Sequence, residues 1–272
     1  MIIKPHIKKL RKSEFADNFG FIGQGTKGNP KFDRRDSLQR EGMLLYAECQ
    51  ENYGSGHEWG KLVIKHYRVA PDKWVRHPKG ISEDDFAKDY RSTSGDQLIS
   101  AMIGLGEAGH IDVVRDFMKS LMGRFGFIRN TIDIAGNKKL LPDWWAPGRW
   151  GALIRSARLF GALWVILLYL SDILFFINTH IKIIKSHANP EHSDDLNYFL
   201  QLHVGNRVMP TWFMRKSKEL YFSERGPVRN KDTGELKYGI EEVFDHYFHE
   251  SSGAPFINEV YRPIIKDFKK RE

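Results

Sequence analysis

The sequence predicts an all-α protein built from antiparallel helical hairpins, and three observations carry that prediction. Apolar residues recur at helical spacing in most ordered stretches, several such stretches open on capping sequences, and alternating strand patterns are nearly absent. At 272 residues, with 41% hydrophobic and 28% charged residues, the chain can bury a substantial core and is not of disordered composition. The organisation expected is an extended N-terminal arm over 1–35 followed by a single helical domain over 36–272.

The arm contains Gly23-Gln24-Gly25-Thr26-Lys27-Gly28, which matches the dinucleotide fingerprint in letters. No apolar strand precedes it and Asn29-Pro30 follows, so a loop is predicted rather than a nucleotide site. Asp36 to about Tyr53 reads as a helix, with Asp36 and Gln39 in the form of a capping box and Gly54-Ser55-Gly56 as its end. His57-Glu58 begins an H-E-x-x-H pattern that fails at Lys61, which excludes a zinc-protease helix. A short strand is expected over Lys61–Tyr67, a loop at Trp74–Pro78 and a capped helix from Ser82. Ser94–Gly106 and Ile111–Gly123 then form a helical hairpin around a glycine turn.

Residues 124–150 form a long, aromatic-rich loop. Leu159–Ile177 is the most apolar segment, interrupted by Ser171 and Asp172. Its length would span a bilayer, but an internal charge opposes insertion by about 2.5–3.5 kcal/mol. A central helix buried on all sides by its neighbours is therefore expected, and a membrane partner is not. A helix from about Asp194 to His203, a hairpin around Asp232-Thr233-Gly234, and helices from Ile240 and near Pro263 complete the chain. No fixed-period repeat and no heptads stand out.

A formal charge of +8 suits an anionic partner, which leaves nucleic acid or an acidic polysaccharide open. The single Cys49 excludes an internal disulfide and fits a reducing compartment. With no apolar leader at the N-terminus, a cytoplasmic location or the interior of a viral particle is expected. No cofactor and no metal are expected: His246 and His249 share a helix face, but such a pair is common surface decoration.

Arg35-Asp36 opening one helix, Trp74-Val75-Arg76-His77-Pro78 in a loop, Ser94-Gly95-Asp96-Gln97 opening another helix, and the loop residues Trp144 and Trp145 give the chain its one likeness. Across residues 33–213 it resembles, in architecture, the (α/α) toroid carbohydrate-active enzymes, the glycoside hydrolases and polysaccharide lyases. The chain is short for six hairpins, so an incomplete toroid is implied.

Glycoside cleavage needs two carboxyl groups across the scissile bond. Asp36 is the candidate base, held ionised by Arg35 and Arg40, and Asp96 the candidate acid, with Glu41 in reserve. Trp74, Trp144, Trp145 and Trp212 would stack on sugar rings, Gln97 would contact substrate, and Arg76, His77 and Arg149 would suit an acidic sugar. Each has a plainer reading: Asp36 and Asp96 as helix-end acids, the tryptophans as core. The competing function is a non-catalytic structural or interaction protein of a viral particle or larger assembly, whose partners are other proteins.

Overall fold

The computed structural model describes residues 11, 16, 20–21, 37–78, 93–128, 143–188, 195–226, 228–229 and 236–237, and among these residues it has eight α-helices and two short antiparallel ribbons. The all-α prediction holds. The helices are α1 (Ser37–Glu51), α2 (Tyr53–Tyr67), α3 (Gly95–Glu107), α4 (Ile111–Met122), α5 (Trp150–Ser156), α6 (Ala162–Ala188), α7 (Asp195–Arg207) and α8 (Trp212–Glu224). Strands β1 (Arg68–Ala70) and β2 (Lys73–Trp74) pair antiparallel, as do β3 (Val228–Arg229) and β4 (Leu236–Lys237). The Gly23–Gly28 loop, the Ser82 helix, the Asp232–Gly234 turn, the His246/His249 pair and the closing helices lie outside the described residues.

Contacts divide the chain into two compact units. One comprises Met1–Ala146, Ser156–Arg158 and Glu259–Glu272; the other comprises Pro147–Arg155 and Leu159–Asn258.

In the first unit, α1 and α3 cross in backbone contact. A Cβ on Gly42 would lie 2.3–2.4 Å from backbone atoms of Ser100 and Ala101, and one on Gly104 would lie 2.3 Å from the Gly42 carbonyl oxygen. Glycine is required at both positions because any side chain would push the helices apart. Close crossing lets these two helices serve as the core. Every residue from Glu41 to Cys49 is buried, as is every residue from Gln97 to Gly106. Ala108, Gly109 and His110 then link α3 to α4 as the predicted hairpin turn, with Gly109 at φ +83°. The return helix α4 buries Val114, Phe117, Met118 and Leu121, the i, i+3, i+4, i+7 stripe of an amphipathic helix.

Residues 54–67 differ from expectation. Gly54-Ser55-Gly56 does not end a helix: the Asn52 side chain accepts from the Ser55 amide (3.3 Å) and starts α2, which runs to Tyr67. The strand expected over Lys61–Tyr67 is therefore helix, and the ribbon begins one residue later. Asn is a strong N-cap, and Gly56 in its first turn serves packing instead: a Cβ there would meet the Cys49 Sγ at 2.2 Å.

In the second unit, α6 packs its Leu168, Ser171, Asp172, Phe175, Thr179, Ile183 and Ser186 face inward, and α8 is the helix it contacts most. Phe175 stacks on Tyr198 of α7 at 4.8 Å, and the Thr179 hydroxyl lies 2.5 Å from the Tyr198 hydroxyl. The expectation of a helix buried all round is corrected here. Less than a third of the most apolar 18-residue window of α6 is buried, and its outer side faces solvent. Asp172, the charge that interrupts the apolar run, points into the unit, so it does not interrupt the outer side at all.

Candidate functional site

In the first unit the predicted catalytic residues have different fates. Asp36 and Arg35 lie outside the described residues, so no Asp36–Asp96 geometry is defined. Asp96 is half-buried in the first turn of α3, where the helix dipole favours an acid. Glu41 is fully enclosed and committed. Its Oε2 accepts from Arg11 Nη1 at 2.8 Å and from Trp59 Nε1 at 2.9 Å.

That pairing belongs to a buried polar cluster. Arg11 Nη2 also donates to Glu48 Oε2 at 3.0 Å, Ser55 Oγ donates to Glu48 Oε1 at 2.6 Å, and the Arg11 guanidinium lies 3.5 Å from the Trp59 ring centroid. Two carboxylates share one guanidinium beneath an indole, so neither is left as an isolated buried charge. Glu41 and Glu48 sit seven residues apart on one face of a helix, a spacing visible in sequence. Their shared partner Arg11, thirty and thirty-seven residues away, was not.

The candidate sugar contacts also separate. Trp74 and Trp145 have no exposed surface, and Trp145 packs edge-to-face on Phe117. Gln97 and His77 are buried as well. None of these four offers a face to a polymer in this conformation. The Arg76 carbonyl receives the Leu38 amide (3.1 Å) and the Ser37 hydroxyl (3.2 Å), so this loop residue caps α1 through its backbone. Arg40 is half-buried on α1. Trp144 is half-exposed, with its indole N–H given to the Phe125 carbonyl at 2.9 Å, and its ring covers Gly126, which has φ +85°. In the second unit, Arg149 lies half-exposed in a 3₁₀ turn over Pro147–Arg149, and Trp212 is half-exposed in the first turn of α8.

Beside the turn at Gly109, His57 and His110 stack at 4.6 Å. His57 Nδ1 donates to the Ala108 carbonyl (2.7 Å) and His110 Nε2 donates to the His57 carbonyl (2.9 Å), because carbonyl oxygens can only accept. Burial pushes the His110 pKa below its ordinary value; the bond to the His57 carbonyl opposes that shift, and the charge of the His57 ring adds to it. Among the described residues no cluster of three or more His, Cys, Asp or Glu side chains is assembled for a metal ion.

The second unit holds the arrangement that sequence reasoning read the other way round. Arg155 and Asp172 form a bidentate pair at 2.9 and 2.6 Å, with both side chains nearly inaccessible. Arg155 Nε also donates to the Val208 carbonyl, and Thr211 Oγ1 donates to Asp172 Oδ2 at 2.6 Å. Ser171 receives the Gly151 amide and donates to the Pro147 carbonyl. A Cβ on Gly151 would come 2.7 Å from Asp172 Oδ1, so glycine leaves the room that the pair occupies.

With its polar residues satisfied inward, α6 turns Leu163, Leu167, Leu170, Leu174, Ile177, Ile181 and Ile184 outward, each between 37% and 67% exposed. Ile166 lies beside them at 59%. The strip runs about 32 Å along the helix at 1.5 Å per residue. A surface helix ordinarily does the reverse, burying its apolar stripe and wetting its polar one.

No family model, curated protein or solved structure matches the chain.

Proposed function

We propose that the chain works by contact rather than catalysis, as an interaction protein of a larger assembly that docks through the outward face of α6. The observation that carries this reading is the inversion just described: charge and hydroxyls inside, an uninterrupted leucine and isoleucine strip outside. Leaving a buried ion pair to hold a helix whose outer side is apolar makes sense where that outer side is to be covered. Covering eight side chains that are about half exposed would gain roughly 1 kcal/mol each, near half the value for full burial. The sum is comparable to the roughly 4–15 kcal/mol that association costs, before the partner's own apolar surface is counted.

The carbohydrate reading has less behind it. Glu41 is consumed by Arg11 and Trp59, Trp74 and Trp145 are enclosed, and the toroid resemblance finds helical hairpins but no further support. Polysaccharide cleavage by the wild type, lost in Asp36→Asn and Asp96→Asn, would revive it.

The contact reading is tested by substituting Leu163, Leu170 and Ile184 to Ser together. An open contact face predicts a large drop in fluorescence of an apolar dye bound to the dilute protein, with stability changed by no more than about 0.5 kcal/mol per site. Unchanged dye binding together with a loss of several kcal/mol would show that these residues are core.

A further inference from the structure

The partner of this face follows from its spacing. From Leu163 to Ile184 the outward residues advance by four, three, four, three, four and three, with no break over three heptads and a leucine or isoleucine at each step. We infer that the occupant is the same face of a second copy of this chain, the two α6 helices pairing as a short coiled coil; this rests on the contact reading above. A period of 3.5 drifts about 20° per heptad around a straight α-helix, close to 60° across this strip. A second helix that supercoils with the first removes the drift and seats each side chain between four of its neighbour's. The heptads that were not evident in the sequence become evident once the inward residues are known and set aside.

A lipid surface needs an apolar side but no particular period, and two further features disfavour it. Spanning a bilayer would carry α8, which packs on α6 and exposes Arg215, Lys216 and Glu219, into hydrocarbon. Lying flat on an anionic surface calls for basic residues bordering the apolar strip. None occurs between Leu159 and Thr179; Lys182 and Lys185 come only in the last turns. Asn178 and Lys185, both exposed, lie beside the strip where a paired helix keeps its solvated flank. The midpoint of the strip falls at Leu174, so a two-fold axis there brings residue 174 near its own copy whether the helices run parallel or antiparallel.

The test uses the full chain without detergent. Sedimentation across the micromolar range is expected to show twice the monomer mass for the wild type, and the monomer throughout for Leu170→Glu/Ile177→Glu with its helical circular dichroism retained. Leu174→Cys is expected to form a covalent dimer under mild oxidation. Tyr169→Cys, exposed but on the helix flank, and the wild type, whose Cys49 is buried, are expected not to. The disulfide readout holds even if the double variant fails to fold. A wild type that stays monomeric and a Leu174→Cys that does not cross-link would overturn the pairing. If that monomer floats with phosphatidylcholine vesicles containing phosphatidylserine, and Leu170→Glu/Ile177→Glu abolishes flotation, the pairing fails while the contact reading stands. If it neither pairs nor floats and its dye binding is indifferent to the strip, both fail.

Discussion

Replacing Gly42 with Ala sets two opposed effects against each other. Within a helix, Gly→Ala is favourable by about 1 kcal/mol from backbone entropy and propensity. At this crossing the new methyl would sit 2.3 Å from the backbone of Ser100, where ordinary contact begins at 3.4 Å. The shortfall is about 1.1 Å, and the obstructing atoms are the main chain of α3, which cannot rotate away as a side chain could. Only separation of α1 and α3 relieves it. A gap of 0.5–1 Å forfeits a quarter to a half of the dispersion energy of the contacts it opens, and overpacking commonly costs about 1–3 kcal/mol. Because both helices are buried over most of their length, the upper part of that range applies, and a net loss of roughly 1–2 kcal/mol is expected after the propensity gain. Gly104→Ala meets the Gly42 carbonyl at the same distance and should cost as much. One separation makes room for both methyls, so the double variant should lose well under the sum of the singles. Equilibrium denaturant unfolding followed by helical circular dichroism measures each. Gly54→Ala is the control: its Cβ would meet only the Asn52 side chain, at 3.5 Å, and stability should hold or rise slightly. A Gly42→Ala protein as stable as the wild type would refute the backbone crossing.

The Arg155–Asp172 pair predicts a second asymmetry. Asp172→Ala should cost about 3–5 kcal/mol by stranding a buried guanidinium, whereas Arg155→Met/Asp172→Leu together should come within about 1–2 kcal/mol of wild type, read as a double-mutant cycle in thermal unfolding. Glu41→Gln should destabilise by about 2 kcal/mol or more, because Arg11 loses one of its two buried carboxylates, while the exposed Glu58→Gln should change little under the same assay. His110 gives a pH dependence. Its folded pKa lies below the unfolded 6.5, so the unfolded chain binds the proton first; stability is complete above that value and declines as pH falls below it. Urea midpoints between pH 7.5 and 5 should show a decline that His110→Gln lessens, and a wild-type midpoint that rises on acidification would contradict the assignment.

Much of the fold was legible because helix periodicity is local. The stripe of α4, the hairpin turn at Gly109 and the limits of α1 and α3 to within one or two residues follow from side chains three and four apart. Gly54-Ser55-Gly56 was not legible, since glycine marks both a helix end and a place where another element comes close. The Cys49 sulfur pressed against Gly56 decides for the latter. The candidate site was less legible still. Glu41 looked available until Arg11 and Trp59 closed on it, and Trp74 and Trp145 had the right residue type but no exposed face.

By itself the sequence determined that this is a helical protein, that its longest apolar run is a helix, and that one acid interrupts that run. Tertiary structure alone decided which way the helix faces. Hydropathy sums over all sides of a helix, so it cannot distinguish one buried on every side from one apolar on the outside. The choice was made by Arg155, which reaches Asp172 across seventeen residues and draws the polar side inward. With that side turned inward, the leucines and isoleucines of α6 were left facing out.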